Sequence, residues 1–240
     1  MKRRMIADSL IYQYQRCAES KLKQSYDGRC ITMFHQIEDD VGKWYDSRYA
    51  ISFSSFTIFI EKLQEAGYEI VSPYNMLNSN GKKRVVLSFD DVFDGVYYFV
   101  YPFLKQRNIP FVIFPAVCKL HERGFVNERM LIEMANEYSG CYVGAHSISH
   151  CNLRYSSKEK SKKEIVESGE IIGEIIGKAI DMFAYPYGSL DAVGKRERKI
   201  AGQKYHIAFG TLQGGMTDKA DLAYLPRINI NEENFAYKII

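Results

Sequence analysis

Short apolar runs with strand character alternate along this chain with stretches of helical periodicity, and no other feature narrows its fold as far. Cys30–His35, Arg84–Phe89, Pro110–Phe114, Cys141–Ala145, Ala179–Tyr185 and Ile207–Phe209 read as strands. Phe53–Gly67, Gly95–Arg107, Glu128–Tyr138, Lys158–Gly177 and Leu190–Gly202 read as helices between them. Continuous apolar runs such as Val85–Val86–Leu87 belong in a parallel sheet covered on its outer face by helices. Repetition of the unit without a Pro/Gly/Ser linker predicts an α/β fold in a single domain, a distorted (β/α) barrel of about seven strands. A doubly wound open sheet is the second architecture compatible with the pattern. In either, chemistry belongs at the carboxyl ends of the strands.

Residues 5–24 place Ile6, Leu10, Tyr14, Cys17, Ala18 and Leu22 at helical spacing opposite a basic face. This divides the chain into an N-terminal amphipathic helix over 1–25 and a barrel domain over 26–240. Such a helix packs on the domain or makes peripheral membrane contact. A formal charge of +3 is too small to argue for nucleic acid. No stretch approaches the roughly 18 apolar residues of a membrane span, and the basic start leads into a mixed segment, not the apolar core of a signal peptide. Five cysteines, an odd number without a CxxC pair, suggest neither a disulfide framework nor a cysteine zinc site. A cytoplasmic location, either free or membrane-associated, is the expectation.

Four motifs fall at strand ends. Ser88-Phe89-Asp90-Asp91 brings two adjacent carboxylates out of a buried strand, a costly arrangement that a divalent cation would resolve and that helix capping by Asp91 or Asp94 would also explain. His146-Ser147-Ile148-Ser149-His150 follows the next strand but one, and its two imidazoles converge if the segment turns once. Together, Asp, His and His make a three-ligand set with a spare carboxylate. Phe183-Ala184-Tyr185-Pro186-Tyr187-Gly188 can turn sharply and aim the Tyr187 N–H into the same opening, or be a plain turn. Leu225-Pro226-Arg227-Ile228 carries one cation towards it, or a surface arginine.

In this order, SFDD, HSISH, FAYPYG and LPRI resemble the metal-dependent polysaccharide deacetylases, the family-four carbohydrate esterases related to chitooligosaccharide deacetylases. The early Met33-Phe34-His35-Gln36-Ile37 is similar to an opening found in one branch, and the resemblance runs from about Cys30 to Ile230. It implies a distorted barrel that hydrolyses an N-acetyl, or occasionally O-acetyl or formyl, group on a sugar. It also implies Asp90 as catalytic base, Asp91, His146 and His150 as ligands of Zn²⁺ or another divalent metal, and the Tyr187 N–H as oxyanion donor. Val92 replaces the glycine usual after the aspartates, and Ala184 replaces the arginine that orients the base. Arg227 is expected to take over that orientation. It also stands where a late histidine, the usual general acid, would be, so His35 is the candidate acid, with protonated Asp90 as substitute. An aspartate–tryptophan motif has no counterpart.

The expected substrate is an acetylated amino-sugar or oligosaccharide, held by aromatic rings for which Trp44, Tyr97 and Tyr185 are candidates. The mixed-charge run Arg154–Glu170 reads as a solvated helix face, and His121 and His206 as structural residues. A deformylase of a lipid-linked aminosugar and an inactive glycan-binding module are the alternatives.

Overall fold

Strand β1 (Arg29–Phe34) is buried along its whole length and pairs in parallel with an equally buried β5 (Arg84–Asp90). Around this pair the computed structural model describes residues 11–21, 27–40, 43, 46–78 and 81–236. Residues 11–21 are helical (α1). The shorter elements β2 (Gln36–Ile37), β3 (Ala50–Ile51), α2 (Phe53–Glu65), β4 (Glu69–Ile70) and α3 (Pro73–Met76) lie between β1 and β5. After β5 come α4 (Tyr101–Gln106), β6 (Phe111–Phe114), α5 (Glu128–Glu137), β7 (Cys141–Val143) and α6 (Lys158–Ile176). The chain continues through β8 (Met182–Ala184), α7 (Lys195–Lys204), β9 (Ile207–Phe209) and β10 (Ile228–Asn229).

The parallel ladder runs from β1 through β5 and β6 to β7. It continues through a single bridge from Ala145 to Phe183, the β8–β9 pair, and a second bridge from Phe209 to Leu225 just ahead of β10. Strand β10 then returns to β1 at Thr32–Ile228 and Met33–Asn229. The circuit is a (β/α) barrel of seven parallel strands, distorted where the joins are single bridges. The open doubly wound sheet is thereby excluded.

Alternation along each strand sorts side chains between two cores. Val85, Leu87 and Phe89 of β5 pack outward under the helices. Val86 points inward with Ile31, Val112, Phe114, Ile207 and Phe209. The same parity turns Ser88 and Asp90 into the barrel, above its apolar floor. Helix starts follow local chemistry: Ser52, Ser72, Asn127 and Ser157 each accept a backbone N–H from the first turn of α2, α3, α5 and α6.

Two sequence expectations change. Helix α7 starts at Lys195, not Leu190, because residues 190–194 turn before the Gly194 N–H meets the Glu197 carboxylate at 2.9 Å. In α1 the inward residues are Ile11 and Ala18, both packed against the outer core, and Gln15 and Glu19. Tyr14 and Cys17, expected on the packed face, are exposed. Ile6, Leu10 and Leu22 lie outside the described residues. Among the described residues no helix is long and apolar enough to cross a membrane.

Candidate active site

Asp90 is the last residue of β5, and Asp91 follows it with φ 60. That left-handed turn sends the two carboxylates in different directions. Asp90 faces Arg227, 0% exposed, whose guanidinium donates to both of its oxygens at 2.6 Å, to Ser88 Oγ at 3.2 Å and to the Gly210 carbonyl at 2.8 Å. Asp91 faces the segment after β7: its Oδ1 lies 3.3 Å from His150 Nε2 and 4.0 Å from His146 Nε2. One ligand atom from each of Asp91, His146 and His150 falls within 4.8 Å of the others. The capping alternative is not realised by Asp91 or Asp94, since the helical segment from Val96 has Gly95 as its N-cap and no side-chain cap; Asp91 Oδ1 is instead buried without a hydrogen-bond partner. An orphaned buried carboxylate oxygen facing two imidazole nitrogens is a donor set that fits a divalent cation.

The charges are fixed by these contacts. Burial pushes the Asp90 carboxyl up, but Arg227, aided by His146 and His35, outweighs it and holds the carboxyl at about 2. It is therefore ionised throughout the neutral range. Burial lowers His146 to about 4, so its ring is neutral near pH 7. His146 Nδ1 lies 2.8 Å from the Ala184 carbonyl, which can only accept, so Nδ1 carries the proton and Nε2 presents a lone pair. His35 is likewise lowered by burial, partly countered by Asp90 and Asp91, and its Nδ1 is buried without a partner.

Five of the six non-glycine residues with left-handed backbone among the described residues are here: Asp91, Val92, Ser147, His150 and Tyr187. Such positions cost of order 1–3 kcal/mol each and persist only where surrounding structure holds them. Val92 holds φ 56 with its side chain fully buried in the outer core, a burial that a glycine would forfeit. Tyr187 (φ 62) is followed by Gly188 (φ 59), where a Cβ would meet Thr211 at 2.5 Å. Among the described residues no acceptor takes the Tyr187 N–H.

The histidine segment is held from below by Glu164. Its Oε2 accepts the Ile148 and Ser149 N–H groups at 2.9 Å each, and its Oε1 accepts the Ser149 hydroxyl at 2.6 Å. This residue lies within the run read as a solvated face, and it corrects that reading: Glu164 is 6% exposed and sits on the buried stripe of α6 with Ser161, Ile165 and Ile172. A carboxylate interrupting an isoleucine stripe at helical spacing is the signal that could have revealed it. Glu164→Ala strips the acceptor from two N–H groups and is expected to destabilise the protein by about 1–3 kcal/mol. Thermal unfolding checks this; a melting temperature equal to wild type would deny Glu164 its holding role.

These residues open into a cleft of about 820 Å³ beyond the carboxyl ends of the strands, lined by Asp90, Asp91, His35, His146, His150 and Tyr187. All four sequence motifs thus meet at one place, with Arg227 beneath the floor. The aromatic expectations fare worse. Tyr185 is 0% exposed, packs outward under the helices and donates to the Ala223 carbonyl, because β8 parity turns Ala184 inward instead. Tyr97 donates to Glu133 away from the cleft. Trp44 lies outside the described residues. The aromatic lining is instead Tyr49, Phe93, Phe125 and Tyr187, three of them on loops whose packing no local pattern announces.

Comparison with known proteins gives a consistent picture. The profile of the family described as polysaccharide deacetylase matches residues 78–206. A poly-beta-1,6-N-acetyl-D-glucosamine N-deacetylase of Staphylococcus aureus is 26% identical over 208 residues, 80% of this chain and 71% of that protein. Among solved structures, the deacetylase PplD of Streptococcus pyogenes in complex with acetate superposes with a TM-score of 0.76 at 20% identity, covering 88% of this chain and 98% of that one. IcaB from Ammonifex degensii gives 0.71 at 20% identity, over 88% of this chain and 96% of that one.

Proposed function

This chain belongs to the polysaccharide deacetylase family, and from that premise we propose that it is a metal-dependent hydrolase removing N-acetyl groups from an amino-sugar or glycan precursor. The observation that carries the reading is the pairing of an orphaned Asp91 Oδ1, facing two imidazoles, with a neighbouring Asp90 kept ionised by Arg227. The activity for which the Staphylococcus aureus relative is named supplies the precedent for an N-acetylated sugar.

Asp91, His146 and His150 would hold the cation, and Zn²⁺ suits two neutral imidazoles and one carboxylate. When bound, such an ion polarises a carbonyl and lowers the pKa of water from 15.7 to roughly 7. The chain's own groups do the rest. Arg227 grips both oxygens of Asp90 yet leaves each a further lone pair, so Asp90 can take the proton of the water whose oxygen adds to the amide carbon. The Tyr187 N–H donates to the carbonyl oxygen as it becomes an oxyanion, a contribution typically worth about 2.7–4 kcal/mol. The nitrogen takes a proton as the C–N bond breaks, and acetate and the free amine separate. Asp90, which received one, returns it; His35, the acid expected from the sequence, is kept neutral near pH 7 by burial and could serve only after first taking a proton itself.

The test is elemental analysis together with acetate release from N-acetylated amino-sugars and short oligosaccharides. Asp91→Ala is expected to lose the metal and about 10³-fold in rate, since several kcal/mol of charge stabilisation go with it. Unchanged metal content and unchanged turnover in that variant would end the proposal. Formate in place of acetate would select the deformylase reading, and metal binding without release of either acid would select the glycan-binding module.

A further inference from the structure

The rim of the cleft is not uniform around the barrel. On the β8–β10 side a chain of hydrogen bonds ties the loops together. Asn229, on β10, donates through Nδ2 to the Arg48 carbonyl at 3.1 Å, and its N–H donates to Gln213 Oε1 at 3.2 Å. The Gln213 N–H, on the loop after β9, donates to Glu19 Oε1 of α1 at 3.2 Å. Gln15, one turn earlier on α1, donates to the same oxygen at 3.2 Å, while its own Oε1 accepts the Leu190 N–H, after β8, at 3.4 Å. Gln15, Gln213 and Asn229 all line the cleft. Ile11 and Ala18 anchor α1 to the core, so this wall is seated by apolar burial as well.

The β5–β6 side is built differently. Phe93 and Phe125 place their ring centroids 4.4 Å apart, and the Lys119 ammonium lies 4.6 Å from the Phe125 centroid. All three line the cleft, forming an aromatic floor of the kind on which sugar rings stack. Near the histidines, Asn152 Oδ1 is buried, lines the cleft and has no partner, an acceptor suited to a sugar hydroxyl. A volume of about 820 Å³ lies within the range of small-molecule pockets.

We propose that the cleft is closed on its β8–β10 side by the belt through α1 and therefore receives the end of a saccharide chain, the remainder leaving across Phe93 and Phe125. This deepens the reading of the cleft as an acetylated-saccharide site and rests on it. Gln15, Glu19 and Gln213 are then specificity-determining: they exclude a chain that would run on past the terminal unit.

The experiment measures binding of the metal-loaded protein to a short N-acetylated glucosamine oligosaccharide with both ends free, and to the same compound carrying a bulky cap at one end or the other. One cap is expected to raise the dissociation constant at least about tenfold, and the other to leave it unchanged. Equal affinity for the free and both capped forms overturns the proposal. In Gln15→Ala/Glu19→Ala the sensitive cap should become tolerated while the thermal unfolding curve stays in place; a folded variant that still rejects that cap shows that α1 is not the barrier. Glu19→Ala alone, which removes the oxygen shared by Gln15 and the Gln213 N–H, gives the same reading should the double variant not fold. Mass-spectrometric mapping of turnover places acetate loss on the terminal unit, and loss from interior units overturns the proposal. End-selective binding without any acetate release removes the deacetylase reading and leaves the closed cleft standing, whereas no binding of either form removes both.

Discussion

Asp90→Asn is expected to reduce acetate release by about 10²–10⁴-fold, the usual worth of a positioned general base, while the Asp91, His146 and His150 group still binds its cation. Asparagine keeps the shape of Asp90 but cannot take a proton from water. It also leaves the fully buried guanidinium of Arg227 without a counter-charge. Removing one partner of a buried pair costs about 3–5 kcal/mol, so the variant should melt earlier as well as turn over slowly. The two effects separate cleanly: rates are measured well below the melting temperature, and metal content is measured on the same sample. Retained activity would reject Asp90 as the base. Loss of metal together with activity would mean that the two aspartates have exchanged roles.

The parts of this site carried by strand ends were legible in the sequence, because a buried parallel strand announces itself as an apolar run and its last residue must emerge at the catalytic rim. Asp90 and the histidine pair were found that way, and β5 ends on Asp90 itself. The motif alone showed Arg227 as a cation near a late strand, and the family resemblance made it the residue expected to orient Asp90; its two-pronged hold depends on the closure of β10 against β1, a contact across almost the whole chain. Tyr185 was misplaced because a strand motif read as a block ignores parity, and one step along β8 separates the barrel interior from the helix layer. The face of α1 was misread for a different reason. Its partner includes the polar rim of the cleft, so Gln15 and Glu19 turn inward and tyrosines turn out, the reverse of what apolar periodicity expects.

Arg227→Met is expected to destabilise the protein by about 3–5 kcal/mol near neutral pH, lowering its melting temperature by roughly 6–20 °C for a chain of this size. Methionine fills similar space between Phe114 and Phe209, whose rings flank the guanidinium at 5.8 and 5.9 Å, so the loss is chiefly electrostatic: Asp90 remains buried with its charge uncompensated. The sign of the pH dependence follows. In the wild type the Asp90 carboxyl is held at about 2, below its ordinary 3.8, so its stabilisation is complete above 3.8 and is lost as the pH falls towards 2. Without Arg227, burial dominates and raises that carboxyl above its ordinary value, so protonation now stabilises the folded state. The gap between the two proteins should therefore narrow as the medium is acidified from neutrality, since acid relieves the variant before it harms the wild type. Thermal unfolding of the pair across the acidic range decides it. A gap that stays constant, or widens in acid, would show that Arg227 contributes packing and leaves the charge state of Asp90 alone.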